Sequence, residues 1–162
     1  MPTANDSHYY NFIKPLVEVK PSILYVVNSS EEYIDRLATL GLKMVEVYSE
    51  GWGPCYSVLP TLKRIKIEKD PDPACFQHNP CCAENITELE ASIGLSKPLF
   101  LFYRNGKLME KIEGPNTPAI ERAILEHTPV NPEADDIEEN PFYLQKKEAA
   151  KAAAQAAKEA AK

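Results

Sequence analysis

The 162-residue chain lacks a long hydrophobic run. No stretch approaches the eighteen apolar residues that would suggest a transmembrane helix, so none is expected. Its opening, MPTANDSHYY, lacks the basic and apolar regions of a secretory signal. The expectation is therefore a protein of the cytosol, or of a compartment continuous with it, where thiols stay reduced. The four cysteines, Cys55, Cys75, Cys81 and Cys82, read as free thiols rather than a disulfide framework. A basic excess is lacking too: the net charge is −6, which disfavours non-specific binding to nucleic acid or to an anionic membrane. Metal-clip spacing is also missing. Cys75, His78, Cys81 and Cys82 form C-x5-C-C with one histidine, whereas zinc sites use paired C-x2–4-C clips. No metal and no cofactor are expected.

What is present is enough for a core, at 44% hydrophobic residues, and a length suited to one domain with extensions. Charge divides the chain. Residues 1–128 carry 13 Lys/Arg against 17 Asp/Glu; residues 129–145 carry five acids and no base; residues 146–162 carry five lysines and two glutamates. The expected organisation is an N-terminal arm (1–21), a folded domain (22–128), an acidic linker (129–145) and an Ala/Lys-rich helical tail (146–162).

Within the arm, LVEV (16–19) could form a short edge strand. SILYVV (22–27) is β-branched and aromatic and reads as a strand. NSSEEYIDRLATLG (28–41) reads as a helix, with Ser29 or Ser30 as cap and Gly41 as stop. KMVEVYS (43–49) is a second strand. PCYSVLPTLKRIKIEK (54–69) reads as a helix with Pro54 in its first turn and a kink at Pro60. DPDP (70–73) is a turn, ACFQHN (74–79) a weaker strand, and ENITELEASIGL (84–95) a helix. The segment 98–114, two strand-like runs around Asn105-Gly106, is a β-hairpin, and NTPAIERAILEHT (116–128) is a closing helix. The order β-α-β-α-β-α-β-β-α demands a mixed sheet with helices on both faces.

The segment MVEVYSEGWGPCYSVLP (44–60), with Glu46 and Pro60, and the later SKPLFLFYRNGKLMEKIEG (96–114), with Pro98 and Gly114, resemble thioredoxin over about residues 22–128. LFLFYRNGKLMEKIEGPNTPAIERAILE (99–126) is most similar to thioredoxin-like proteins of cilia and flagella, which include the thioredoxin light chains of outer-arm dynein. The resemblance implies an α/β fold with a mixed sheet flanked by helices, here extended by a C-terminal helix. It implies a buried acid at Glu46, a cis-proline at Pro98 and a client groove around Trp52, Gly53, Pro54 and Ser96, Lys97 and Pro98. It further implies a non-catalytic subunit of a large axonemal complex, with a dynein heavy chain or another axonemal protein as partner.

One departure is central. Aligned on Gly53-Pro54-Cys55, the position of the nucleophilic cysteine in the C-x-x-C motif is held by Trp52. In such a site the first thiolate attacks a substrate disulfide and the second thiol resolves the mixed disulfide, so each step needs its own sulfur. Cys55 alone, expected about one turn inside its helix, cannot complete that cycle. The rival reading keeps Cys55 as a monothiol or sensor thiol, with Cys81 or Cys82, on a loop after the third strand, approaching it. Trp52 reads equally as an unpartnered loop aromatic or as a binding anchor. Glu46 is a remnant buried acid or a solvent-facing one. The tail is either a solvated helix or a basic helix that docks on an acidic or helical surface, spaced from the domain by the linker.

Overall fold

The computed structural model describes residues 23–69 and 71–161; the arm and its LVEV segment lie outside them. The chain forms α1 (Ser30–Leu37), β1 (Leu42–Tyr48), a 3-10 turn (Tyr56–Val58) running into α2 (Leu59–Lys69), and β2 (Phe76–Cys82). Two further 3-10 turns follow (Ala83–Asn85 and Thr87–Ser92), then β3 (Leu99–Arg104), β4 (Lys107–Glu113), α3 (Thr117–His127), a 3-10 turn (Ile137–Glu139) and α4 (Pro141–Ala160).

The sheet order is β2-β1-β3-β4. β1 and β2 are parallel, and the other pairs are antiparallel. Residues 23–27 line the outer edge of β2 in parallel, through bridges at Leu24–His78 and Val27–Cys81. The expected first strand is thus reduced to two bridges, and Pro80 supplies a reason. His78 N–H donates to Ile23 O, and Tyr25 N–H and Val27 N–H donate to His78 O and Pro80 O. The next rung would need the N–H of residue 80, which proline lacks.

Alternation of side chains puts Leu42, Met44, Phe76, Phe100, Phe102 and Ile112 on one face, under Leu62 and Ile65 of α2 and Ile120, Ala123 and Ile124 of α3. The other face carries Val45, Val47, Cys81, Leu99 and Leu101 under Tyr33 and Leu37 of α1 and Ile86 and Leu89. The hairpin forms as expected: Asn105 (φ 50) and Gly106 (φ 74) both take the left-handed conformation that a tight two-residue turn requires. Ser29 caps α1 by accepting from Glu32 N–H, and Asn116 caps α3 by accepting from Ala119 N–H.

Four expectations are corrected. Residues 84–95 form no α-helix: Ile86 is extended (φ −130, ψ 114), which separates the two 3-10 turns while burying its side chain. Core packing outweighs helical periodicity there. Cys81 and Cys82 lie inside β2, not on a loop, and every residue of that strand is buried. The strand looked weak because Gln77, Asn79 and Pro80 are poor strand formers. Pro54 stands before the helix rather than in it, and Pro60 is the second residue of α2, so it marks a start rather than a kink.

The fourth correction concerns the C-terminal segment. It does not space a tail from the domain but is strapped along it. Arg104 grips Asp135 with two bonds (2.7 and 3.2 Å), and Asn105 Nδ2 donates to Asp136 O at 2.7 Å. α4 starts at Pro141, inside the expected linker, capped by the fully buried Asn140. Phe142 packs edge-on against Tyr103, and Lys146 pairs with Asp35. Residues 149–161 are exposed. Alanine cannot anchor the helix, as the sequence implied, but its first turn does.

Candidate functional site

β1 ends at Tyr48, and the chain turns through Ser49–Pro54 before the helical segment begins. Trp52 N–H and Gly53 N–H both donate to Ser49 O, at 3.0 and 3.1 Å. Ser49 Oγ accepts from Gly94 N–H at 2.6 Å, and Glu50 N–H donates to Glu84 Oε2 at 3.1 Å. The entry to the turn is therefore fastened to the 83–94 segment. Gly53 adopts φ 72, a conformation that side chains other than glycine rarely take. Trp52 stands outward at 67% exposure, and Tyr56 at 72%.

Cys55 is the N-cap of the 3-10 turn, with extended φ −83 and ψ 106, so it is not one turn inside a helix. It is half-buried, its Sγ lies 3.0 Å from Ser57 Oγ, and its N–H donates to Glu46 Oε1 at 2.6 Å. Glu46 is not solvent-facing: it is 1% exposed, and its other oxygen lies 2.6 Å from His78 Nε2, on a side chain 3% exposed. The sequence presents His78 only as a metal-ligand candidate. Its pairing with Glu46 follows from β2 being one strand through Pro80, which sets His78 opposite Met44 and so on the Glu46 face.

The remaining thiols lie on β2 or just before it, and Cys82 touches the turn only through Glu84. Cys81 is fully buried on the opposite face, and burial, with Glu46 and Cys82 adding to it, pushes its thiol up to about 12. Burial also raises the Cys82 thiol, which contacts Glu84 at 3.1 Å, and that of Cys75. All four cysteines are free. Among the described residues no group of His, Cys, Asp and Glu could hold a metal ion.

Ser96, Lys97 and Pro98 line a shallow cleft of about 280 Å³ with Ser92 and Leu95; Trp52, Gly53, Pro54 and Cys55 are not among its walls. The cleft does share an end of the sheet with the turn, since Leu99 pairs with Val47. The Lys97–Pro98 bond is trans, against expectation. Trans is the intrinsically preferred form by ~0.5–1 kcal/mol. In this trans geometry Gly114 N–H already closes the hairpin onto Pro98 O at 2.7 Å. No helix among the described residues is long and apolar enough to cross a membrane.

The fold is that of thioredoxin. The chain is similar to solved thioredoxins from Trypanosoma brucei brucei (TM-score 0.52, 20% identity, covering 67% of this chain and 93% of that one) and Nicotiana alata (0.51, 20%, 70% and 99%). No protein-family model matches. Among curated proteins, the dynein 16 kDa light chain of the Chlamydomonas reinhardtii flagellar outer arm is 47% identical, covering 79% of this chain and 83% of that one. The 14 kDa light chain of the same arm is 33% identical, covering 68% and 84%. Human thioredoxin domain-containing protein 3 is 31% identical over 62% of this chain but 17% of its own length. With a thioredoxin fold and this identity across most of both chains, the protein belongs to the family of flagellar outer-arm dynein light chains.

Proposed function

We propose that the chain is a structural light chain of an axonemal outer dynein arm, in which a thioredoxin fold serves as a docking module for a dynein heavy chain or another axonemal protein. The 47% identity to a flagellar outer-arm light chain carries this reading. The site agrees with it. An exposed indole stands where the attacking thiol would be, and the three thiols other than Cys55 are buried. The protein works in the axoneme of a cilium or flagellum, reached through the cytoplasm, as a subunit of a large hetero-complex.

The contact face centres on Trp52, with Ser96, Lys97 and Pro98 beyond it at the same end of the sheet. A buried aromatic anchor of this kind commonly contributes ~2 kcal/mol or more, or about thirtyfold in affinity. α4 leaves from the opposite end, because Arg104, at the hairpin, pairs with Leu42 at the start of β1. The two ends are therefore separable by mutation. Trp52→Ala and a chain ending at Glu148, which keeps the docked first turns of α4, are compared for binding to heavy-chain fragments at low and high salt. Trp52→Ala weakens binding at both salts. If instead truncation alone abolishes binding, the helix is the connector and the domain face is not. Robust disulfide reductase turnover by the unaltered chain would favour the rival reading, in which Cys55 works as a monothiol.

A further inference from the structure

The Trp52 turn is pinned at two points. Its entry is held by Ser49 and Glu84. Its exit is held by the Cys55 N–H, which donates at 2.6 Å to Glu46 Oε1. That carboxylate is 1% exposed, so its orientation depends on what holds its second oxygen. His78 Nε2 lies there, at 2.6 Å, in a ring that is itself 3% exposed. Two such atoms at that separation require a proton between them, and a buried carboxylate requires partners on both oxygens. With Nε2 carrying that proton, the imidazole N–H supplies one partner, and the main-chain N–H of Cys55 supplies the other. The Cys55 sulfur is engaged elsewhere, 3.0 Å from Ser57 Oγ. Glu46 thus holds the main chain of Cys55 rather than its thiol.

We infer that His78 is a positioning residue for the Trp52 turn: by fixing the Glu46 carboxylate it secures the Cys55 N–H, and through it the exit of the turn and the direction of the indole. The purpose of this clamp rests on the docking role of Trp52, but the clamp itself is a property of the isolated chain. Its span explains why it takes two residues. His78 is on β2 and the turn leaves from β1, so Glu46, between them, carries the constraint from one strand to the loop of the other.

The test uses the full chain without a partner. Trp52 is the only tryptophan in the sequence, so its fluorescence reports the turn directly. His78→Leu removes the donor, and His78→Gln keeps an N–H that can reach Glu46. Ile65→Val, in the core cluster against which Cys55 packs, controls for general loosening. His78→Leu is expected to speed hydrogen exchange of the Cys55 amide about tenfold or more, as a local opening, and to change acrylamide quenching of Trp52. His78→Gln and Ile65→Val stay within about twofold of the unaltered chain. An unchanged Cys55 amide in His78→Leu, or an equal acceleration in the control, overturns the inference. Should His78→Leu fail to fold, nitrogen-15 spectra of the unaltered chain decide: a protonated Nε2 supports the clamp, and a bare Nε2 overturns it. Partner affinity is scored separately. If Trp52→Ala binds normally while the Cys55 amide responds to His78→Leu, the docking reading fails and the clamp stands.

Discussion

The side-chain amide of Asn140 donates to the main-chain oxygen of Leu37 at 2.8 Å, joining residues 103 apart in sequence. The same side chain accepts from Phe142 N–H and Tyr143 N–H, so it caps α4 and holds the end of α1 at once. Asn140→Ala is expected to cost about 2–4 kcal/mol, combining a lost N-cap with a buried carbonyl left without its donor. Urea unfolding measures it. Removal of residues 149–162 should leave the unfolding midpoint of the domain nearly unchanged, because residues 149–161 are exposed.

Gly106 faces the same cap. A Cβ there would fall against Asn140 Oδ1 and Pro141, in a backbone with φ +74. Gly106→Ala is expected to destabilise the chain by more than the ~1–2 kcal/mol of left-handed strain alone. It should also increase hydrogen exchange in the first turn of α4. Exchange confined to the hairpin would show that the strap does not depend on this contact.

Lys43 is 2% exposed, its ammonium donates to Leu40 O at 2.8 Å, and burial, with Arg36 nearby, lowers its pKa to about 8. The unfolded chain holds this proton up to the ordinary lysine range near 10.5. Between about 8 and 10.5 the unfolded state therefore binds more protons, and this group makes stability rise with pH. The stability of the unaltered chain relative to Lys43→Met should increase by up to about 3 kcal/mol from pH 7 to pH 10.5. A flat difference across that window, by denaturant titration of both chains, would refute it.

Thiol labelling at pH 8 in the native state should modify Cys55 first, with Cys75, Cys81 and Cys82 reacting after denaturation. Exposure and burial-raised pKa values both direct that order. Peptide mass spectrometry identifies the labelled sites, and early modification of Cys81 would contradict its place in the core.

Trp52→Cys restores C-x-x-C spacing on a turn that already has a thioredoxin-type frame. The variant is expected to form a reducible disulfide between the introduced thiol and Cys55, and to gain insulin-reducing activity over the unaltered chain. Two persistently free thiols after mild oxidation would show that the turn has drifted from that geometry.

Much was legible in the sequence because its signals were local. Asn105-Gly106 between two apolar runs specifies a hairpin, since the tight turn needs two positive φ values. Asn116 before a periodic run specifies a helix start, and Trp52 beside Gly53-Pro54-Cys55 shows that the dithiol cycle lacks its first sulfur. Other features needed the assembled sheet. Cys81 and Cys82 looked like loop residues because Pro80 precedes them, yet β1 pairs with β2 to its end and buries both. Glu46 found His78 32 residues away only once that strand was in register. The 84–95 helix gave way because burial of Ile86 is decided by α1 and β1, not by its neighbours in sequence. The strap depends likewise on Arg104 meeting Asp135 and Asn140 meeting Leu37. Local propensity and turn chemistry determine elements; pairings between distant buried polar groups depend on which elements become neighbours, and that is settled by packing.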